Sequence, residues 1–133
     1  MAGTFGYELD LTRLTEDEKE TVRRQCADYH KYNRIIREGD LYRLISPWKD
    51  RNRCAWSYVS PDKREALVTF VVIRCGVYER YYLRLAGLDP ELRYRNEATG
   101  QILSGSTLMS AGLCIPETLR DHASRVYHLT AVI

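Results

Sequence analysis

The sequence lacks the motifs by which metal-binding, nucleotide-binding and membrane proteins are usually recognised. Its four cysteines form no CxxC pair and have no histidine at zinc-ligand spacing, and there is no glycine-rich phosphate loop. No apolar run approaches the roughly 18 residues that span a membrane. The opening residues, MAGTFGYELD, have no basic patch before an apolar run, as a signal peptide would. We therefore expect no metal, no cofactor, no membrane partner and no secretory signal.

Net charge of one sign is also scarce. The 133 residues include 20 basic and 18 acidic side chains, which gives a formal charge of +2. The arginines are spread along the chain between acids, whereas a nucleic-acid binder gathers basic residues on one face. We expect no nucleic-acid partner, and an RNA-binding β-domain that uses Arg and Tyr is poorly supported.

The composition that remains suits one small globular unit. Hydrophobic residues make up 44% of the chain and charged residues 29%, which is ordinary for a folded domain. A chain of this length buries roughly two-thirds of its unfolded surface. Unpaired cysteine is among the most buried residue types. We predict reduced core thiols and a cytoplasmic location from the irregular spacing of Cys26, Cys54, Cys75 and Cys114.

A single long helix is predicted over residues 15–38. Thr15 and Glu18 form a capping box, in which the threonine hydroxyl accepts from the Glu18 amide and the glutamate reaches back. Gly39 follows as the residue that ends the helix. The apolar positions recur at helical spacing and form a narrow stripe: Val22, Cys26, Tyr29 and Ile36.

The rest of the chain, residues 40–133, is predicted to form short strands between turn-forming residues. The candidate strands are Leu41–Ser46, Cys54–Ser60, Glu65–Arg74, Tyr81–Gly87, Leu92–Arg95 and Arg125–Val132. The run Ala66–Ile73 is apolar on both faces and is expected to be a central strand. A turn at Ser104–Ser106 is expected to cap a short helix over Thr107–Ala111. Many short strands at this spacing favour an antiparallel β-sandwich of Greek-key type.

The long helix has no helical neighbour in the sequence to cover its apolar stripe. Three arrangements would bury it: against the sandwich, against a second copy of the chain, or against a region that this chain does not contain. A homo-oligomer is therefore one open alternative.

Several segments, in order, resemble glycoside hydrolase family 36, the α-galactosidases (melibiases). The stretch Gly3–Leu11 resembles the end of the eighth strand of the catalytic barrel, and the helix that follows resembles the last barrel helix. The further segments that resemble the family are Gly39–Leu44, Ser46-Pro47, Trp56, Val59-Ser60, Asp62-Lys63, Leu85–Pro90, Tyr94, Ser104-Gly105, Leu108-Met109, Gly112-Leu113 and Tyr127–Leu129. The resemblance implies a carboxy-terminal fragment, with the end of a (β/α)8 barrel over 1–39 and a terminal β-sandwich domain over 40–133.

For function, the resemblance implies a retaining hydrolase of terminal α-galactosyl groups. Such enzymes use two carboxyl groups about 5 Å apart. In this family both are aspartates on barrel strands upstream of this chain, so the α-galactoside substrate is a partner only of the absent barrel. The segment Pro47–Asp50 shares residue types with the family's Lys-Trp-Asp nucleophile motif, but in another order and outside the barrel. We therefore predict no catalytic residue in this chain.

Few residues remain as candidates for a site. Phe5 would lie at the catalytic rim of an intact barrel and is the one candidate for a substrate contact. Glu8 and Asp10 point the same way on extended backbone, and their expected role is to accept hydrogen bonds in the loop before the helix. Two other kinds of site, a metal site and a carbohydrate-binding surface, are alternatives that we do not favour. His30, His122 and His128 are too dispersed for a metal site, and the tyrosines and tryptophans would suit a free-standing carbohydrate-binding or oligomerisation module.

Overall fold

The computed structural model describes residues 5–75, 80–116 and 120–132. Gly3 and Thr4, at the start of the segment compared with a barrel strand, lie outside the described residues. A 3₁₀ turn, Leu11–Arg13, precedes the helix α1, Glu16–Glu38; a short helix, α2, spans Gly105–Ser110. The strands are β1 Asp40–Ile45, β2 Arg53–Val59, β3 Glu65–Val72, β4 Tyr81–Leu83, β5 Arg93–Asn96, β6 Ile102–Ser104, β7 Leu113–Ile115 and β8 Ser124–Val132. Neither helix in these ranges is both long and apolar enough to cross a membrane.

The strands form two antiparallel sheets. The larger has six strands in the order β1-β2-β3-β8-β5-β6, and the smaller pairs β4 with β7. The last strand, β8, returns to lie between β3 and β5, with Val68 opposite Tyr127 and Tyr94 opposite Ala131. This non-sequential order is typical of Greek-key connections. It confirms the antiparallel β-sandwich expected from the sequence.

The hydrophobic core lies between the two sheets. Along β3 the side chains of Ala66, Val68 and Phe70 are fully buried and point inward, toward Leu83 on β4 and Ile115 on β7. The ring of Phe70 lies 5.6 Å from that of Tyr81, centroid to centroid. We call this side of the large sheet its inner face. The opposite side, the outer face, is covered in part by α1.

The helix α1 begins and ends where the sequence predicts, but the reason for a glycine at position 39 differs from the usual one at helix ends. The Glu18 amide donates to the Thr15 hydroxyl at 3.3 Å, and the Glu18 carboxylate accepts from the Thr15 amide at 2.8 Å. Gly39 has φ −82°, so it does not use the left-handed conformation that glycine permits at many helix ends. A Cβ at Gly39 would instead lie 2.5 Å from the carbonyl oxygen of Ile35 and 2.9 Å from that of Val59. Close approach of helix and sheet requires the glycine.

The helix docks on the sandwich through its last turns, which contact β2 and β3. Ile35 is the one buried residue of α1, 3% exposed, and the predicted stripe of Val22, Cys26, Tyr29 and Ile36 is only half-buried. The stripe was therefore wrong in omitting Ile35. Periodicity gives the apolar side of a helix, but the angle at which the helix meets the sheet decides which position is enclosed.

Some predicted boundaries also differ. The strand expected over Tyr81–Gly87 ends at Leu83, because the Leu85 amide donates to the Leu108 carbonyl at 3.0 Å and so pairs with α2. Strands β6 and β7 were not predicted, since three residues are too few to show alternation. The cap of α2 was predicted correctly: the Ser104 hydroxyl accepts from the Thr107 amide at 3.1 Å.

Tyr94 ties two turns to the core. Its ring is 1% exposed, its hydroxyl donates to the Lys63 carbonyl at 2.6 Å, and the same oxygen accepts from the Asp89 amide at 3.0 Å. Burial raises the pKa of Tyr94, so the hydroxyl remains a donor. Lys63 has a backbone φ of +57°, which residues other than glycine rarely adopt. The Tyr94 hydroxyl thus satisfies the carbonyl of a strained turn.

A pair of tyrosine-to-phenylalanine variants tests this role. Tyr94→Phe leaves a buried amide and carbonyl without their partner, so we expect it to lower the free energy of unfolding by about 1–3 kcal/mol. Tyr127→Phe is the matched control, because the Tyr127 hydroxyl is buried with no hydrogen-bond partner among the described residues. Its removal is expected to be neutral or stabilising. Denaturant unfolding of both variants measures the difference, and equal losses would contradict the assigned role.

The docking of α1 is tested by truncating neighbouring isoleucines. Ile35→Ala removes a buried side chain and is expected to cost about 2–5 kcal/mol. Ile36→Ala removes a half-buried one and is expected to cost about 1 kcal/mol. The Ile35 variant should also speed amide exchange along residues 20–36, which the Ile36 variant should leave nearly unchanged. Similar exchange in both variants would show that α1 is not held at Ile35.

Candidate functional site

The outer face of the large sheet leaves apolar side chains partly exposed, Leu41 and Val126 among them. Trp56 and Tyr58 on β2 point to this face, whereas Ala55, Ser57 and Val59 on the same strand are buried on the inner side. Strand periodicity in the sequence predicts inward positions for both Tyr58 and Tyr127; the prediction is wrong for Tyr58 and confirmed for Tyr127, which is buried. The alternation of β2 fits either register, and only the pairing of the sheets decides which face meets the core.

Two grooves run along the outer face, on either side of Trp56 and Tyr58. The edge groove, of about 370 Å³, is lined by Leu41, Arg43, Ile45, Ser46, Pro47, Trp48, Cys54, Ala55, Trp56 and Tyr58. The central groove, of about 240 Å³, is lined by Ile36, Trp56, Tyr58, Leu67, Thr69, Val71, Ser124 and Val126. Both linings are mainly apolar, and none of the described residues in them is a carboxylate. Burial in this surface raises the pKa of the Cys54 thiol, which disfavours the reactive thiolate.

The loop between β1 and β2 presents an aromatic side chain beside the edge groove. Trp48 is 91% exposed. The loop beneath it is ordered, because the Trp48 amide donates to the Ser46 hydroxyl at 3.4 Å and the Asp50 amide to the Ser46 carbonyl at 2.9 Å. Asp50 lies 3.5 Å from the guanidinium of Arg53. In the segment Pro47–Asp50 the carboxylate is thus engaged in an ion pair.

A third groove lies where α1 begins. This helix-start groove, of about 340 Å³, is lined by Tyr7, Leu9, Leu14, Asp17, Glu18, Thr21, Val22 and Gln25. Its described lining includes the carboxylates of Asp17 and Glu18, whereas the described linings of the other two grooves include none. Glu18 is held there by the capping box, and the hydrogen bonds from the Thr15 amide and hydroxyl lower the pKa of its carboxyl.

The acidic pair predicted before the helix does not form a paired site. The Asp10 carboxylate accepts from the Thr12 hydroxyl at 2.6 Å and from the Thr12 amide at 3.0 Å, and so caps the 3₁₀ turn. These two hydrogen bonds, the hydroxyl's first, lower the pKa of Asp10. Glu8 is exposed. The expected role of hydrogen-bonding in the loop therefore holds for Asp10.

Phe5 packs on the helix. Its ring stacks on that of Tyr29 with centroids 5.1 Å apart, and meets Tyr7 edge-on at 5.3 Å. Phe5 therefore covers part of the apolar stripe of α1. Its contact with substrate stays a prediction.

The three histidines lie apart. His30 and His122 are exposed, and His128 lies on the outer face, where its Nε2 is 2.8 Å from the Glu65 carboxylate. Arg34 on α1 reaches the other oxygen of Glu65 at 3.0 Å. Within the described ranges no three His, Cys, Asp or Glu side chains cluster in a way that could hold a metal ion.

The cluster of Arg34, Glu65 and His128 is the polar junction between helix and sheet, and the sequence analysis missed it. The rings of Tyr32 and His128 meet edge-on, with their centroids 5.3 Å apart. Tyr32, Arg34 and Ile35 of α1 therefore all lie at the junction of helix and sheet. The one available signal was the alternation of β8, which puts His128 on the side opposite the buried Tyr127. Glu65 lies 63 positions from His128 and 31 positions from Arg34 in the sequence, and no local pattern reveals contacts over such separations.

One family profile and several known proteins match this chain in sequence. The profile described as "Glycosyl hydrolase family 36 C-terminal domain" matches residues 53–129. Alpha-galactosidase AgaA of Geobacillus stearothermophilus is 43% identical over 133 residues, 99% of this chain and 18% of the relative. Alpha-galactosidase 1 of Pediococcus pentosaceus is 40% identical over 134 residues, with 98% and 18% covered.

Solved structures agree with these matches. The crystal structure of AgaA from Geobacillus stearothermophilus superposes with a TM-score of 0.90 at 41% identity, over 98% of this chain and 18% of that one. The galactosidase domain of the α-galactosidase–sucrose kinase AgaSK also gives 0.90, at 35% identity and 96% coverage of this chain, again 18% of the other. The chain thus spans 18% of the length of these two α-galactosidases. It belongs to glycoside hydrolase family 36, whose C-terminal domain it resembles in sequence and fold.

Proposed function

We propose that this chain is the carboxy-terminal portion of a retaining α-galactosidase, and that it has a structural role without catalytic residues of its own. One observation carries the proposal: relatives named as α-galactosidases align with nearly all of this chain but with only 18% of their own length. The hydrolysis of terminal α-galactosyl groups would then be the activity of the longer protein, with the substrate bound by its other regions.

The titratable groups of the described chain support a non-catalytic role. A retaining glycosidase needs two carboxyl groups about 5 Å apart, and the general acid among them has a raised pKa. The carboxyl groups with a displaced pKa here are Asp10, Glu18, Asp62 and Glu97, and hydrogen bonds donated to each lower its pKa. A lowered pKa favours the ionised form, which is the opposite of what proton donation requires.

The exposed apolar surface supports packing against the rest of such an enzyme. Leu41 is 43% exposed and Val126 37% exposed on the outer face, and Ile35 is the one buried residue of α1. Apolar area left in water forgoes about 25 cal/mol per Å². We place residues 1–39 with the barrel and residues 40–133 in the terminal sandwich, so that the outer face and the helix stripe meet the barrel.

We also propose a cytoplasmic location. Its support is the cysteines, which form no disulfide with one another and are all half-buried. Half-buried, unlinked thiols suit a reducing compartment.

The isolated chain is expected to give no turnover of an aryl α-galactoside, because the described carboxyl groups with a displaced pKa (Asp10, Glu18, Asp62 and Glu97) all favour the ionised form, not the proton donor that the reaction needs. The assay uses pure chain at high concentration with AgaA as the positive control. Turnover that copurifies with the chain and is abolished by substituting one of its own carboxylates would contradict the proposal.

A chimaera tests the structural role directly. We expect AgaA with its matching C-terminal 18% replaced by this chain to hydrolyse an aryl α-galactoside, since the two segments are 43% identical. Trp56→Ser should lower the melting temperature of the chimaera more than that of the isolated chain, because only the chimaera packs a partner on the outer face. Tyr82→Ser, at a 56% exposed position on β4, is the matched control. Equal shifts from Trp56→Ser in both proteins would contradict packing at this face.

The alternative function is a carbohydrate-binding module, and the exposure of Trp48 beside the edge groove favours it. Aromatic rings offer apolar contact area and hydrogen-bonding edges that suit ligand binding. Titration with raffinose, followed by tryptophan fluorescence, separates the two. Saturable quenching that is lost in Trp48→Ala would support a binding module, whereas unchanged fluorescence supports the structural role.

A further inference from the structure

Two surfaces of the chain are both apolar at their centre and carry opposite charges around it. One is the Trp48 loop, residues 46–52, with its protruding indole; the other is the helix-start groove. We propose that the Trp48 loop of one copy docks into the helix-start groove of a second copy, so that the isolated chain self-associates through this contact. The inference concerns the isolated polypeptide and does not rest on the proposed function.

The Trp48 loop is built as a fixed protrusion. Its amides at Trp48, Lys49 and Asp50 all donate to Ser46, at 3.4, 3.1 and 2.9 Å. The Asn52 amide donates to the Asp50 carboxylate at 2.9 Å and closes the turn. Because the backbone is already held, an indole that is 91% exposed can be buried with little loss of loop entropy. Tryptophan is also among the residues enriched at the energetic centres of interfaces.

The helix-start groove has the apolar floor that such an anchor needs. Tyr7 is 36% and Leu9 52% exposed there, and Leu14 and Val22 are half-buried beside them. A buried tryptophan covers roughly 150–250 Å², and the groove volume of about 340 Å³ is large enough to receive the ring. In the single chain the indole remains almost fully exposed, so its own groove does not receive it.

The charges around the two surfaces are opposite. Lys49 and Arg51 are exposed on the Trp48 loop, where Asp50 is already paired with Arg53. Asp17 and Glu18 line the groove. Opposite charges around an apolar contact speed association and fix its orientation. The basic loop therefore fits the acidic helix start, whereas loop against loop or groove against groove would set like charges together.

The two surfaces are different patches, so the contact allows two modes of assembly. Two copies that exchange loops reciprocally form a closed dimer, and copies that add head to tail form an open chain. Either assembly buries the apolar groove and the indole.

Sedimentation velocity of the full chain over a range of concentrations tests the proposal. We expect reversible association that Trp48→Ala weakens roughly 30-fold, as truncation of an interface hot spot does. Tyr82→Ala, at another exposed aromatic outside both surfaces, should leave association unchanged. Salt at about 1 M, where the Debye length is roughly 3 Å, should also weaken it.

Complementation identifies which surfaces meet. Leu9→Lys places a positive charge in the groove and should abolish self-association while leaving the Trp48 loop intact. Mixed with Trp48→Ala, whose groove is intact, it should form a one-to-one complex at a concentration at which neither variant associates alone. Circular dichroism and unfolding of each variant confirm that both remain folded.

The outcomes decide the proposal. Association lost in both single variants and recovered on mixing supports it. A chain that stays monomeric at every concentration overturns it, as does association that Trp48→Ala leaves unchanged. Recovery that fails on mixing, with both variants folded, shows that the loop does not enter the groove and overturns it as well.

Discussion

The large sheet carries apolar side chains on both faces, and the chain covers only one of them in full. The inner face is closed by the β4–β7 pair, with Phe70, Leu83 and Ile115 at the centre. Among the described elements α1 packs against the outer face, and Trp56 and Tyr58 remain between two open grooves. A strand such as β3, apolar on both sides, is stable when both sides are covered. Because the outer face is covered only in part, apolar side chains remain exposed on it.

The junction of helix and sheet depends on a few contacts of different kinds. Ile35 supplies the buried apolar contact, and Gly39 permits the backbone of the helix end to approach Val59. Arg34 and His128 both reach Glu65, which satisfies the carboxylate at the rim of the contact. Arg34 is 72% exposed, so its ion pair contributes little free energy. The apolar contact and the close approach hold the helix; the charged pair orients it.

The described part of this chain is packed as a stable domain, but its carboxyl groups do not have the properties that a glycosidase site needs. The described part of the chain has a complete core, caps at its helices and satisfied turns, yet its displaced carboxyl groups are all shifted toward the ionised form. A glycosidase site needs a proton donor in a pocket formed by several barrel loops. The described part offers grooves lined by aromatics and aliphatics, which suit contact with another protein surface.

The sequence by itself determined those features that depend on near neighbours. The capping box of Thr15 and Glu18, the Ser104 cap and the extent of α1 follow from hydrogen bonds between residues close in sequence. The central place of β3 follows from its two-sided apolar run. The family resemblance rested on short segments that follow one another in the same order as in the family, and the comparisons confirmed it.

Tertiary structure alone decided which sides of these elements meet. The choice of Ile35 over Ile36, the outward direction of Tyr58, and the meeting of Glu65 with Arg34 and His128 depend on crossing angle and strand register. Register moves every side chain of a strand to one face or the other at once. It is set by the whole sheet, where β8 lies between β3 and β5. No local stretch of the sequence contains that information.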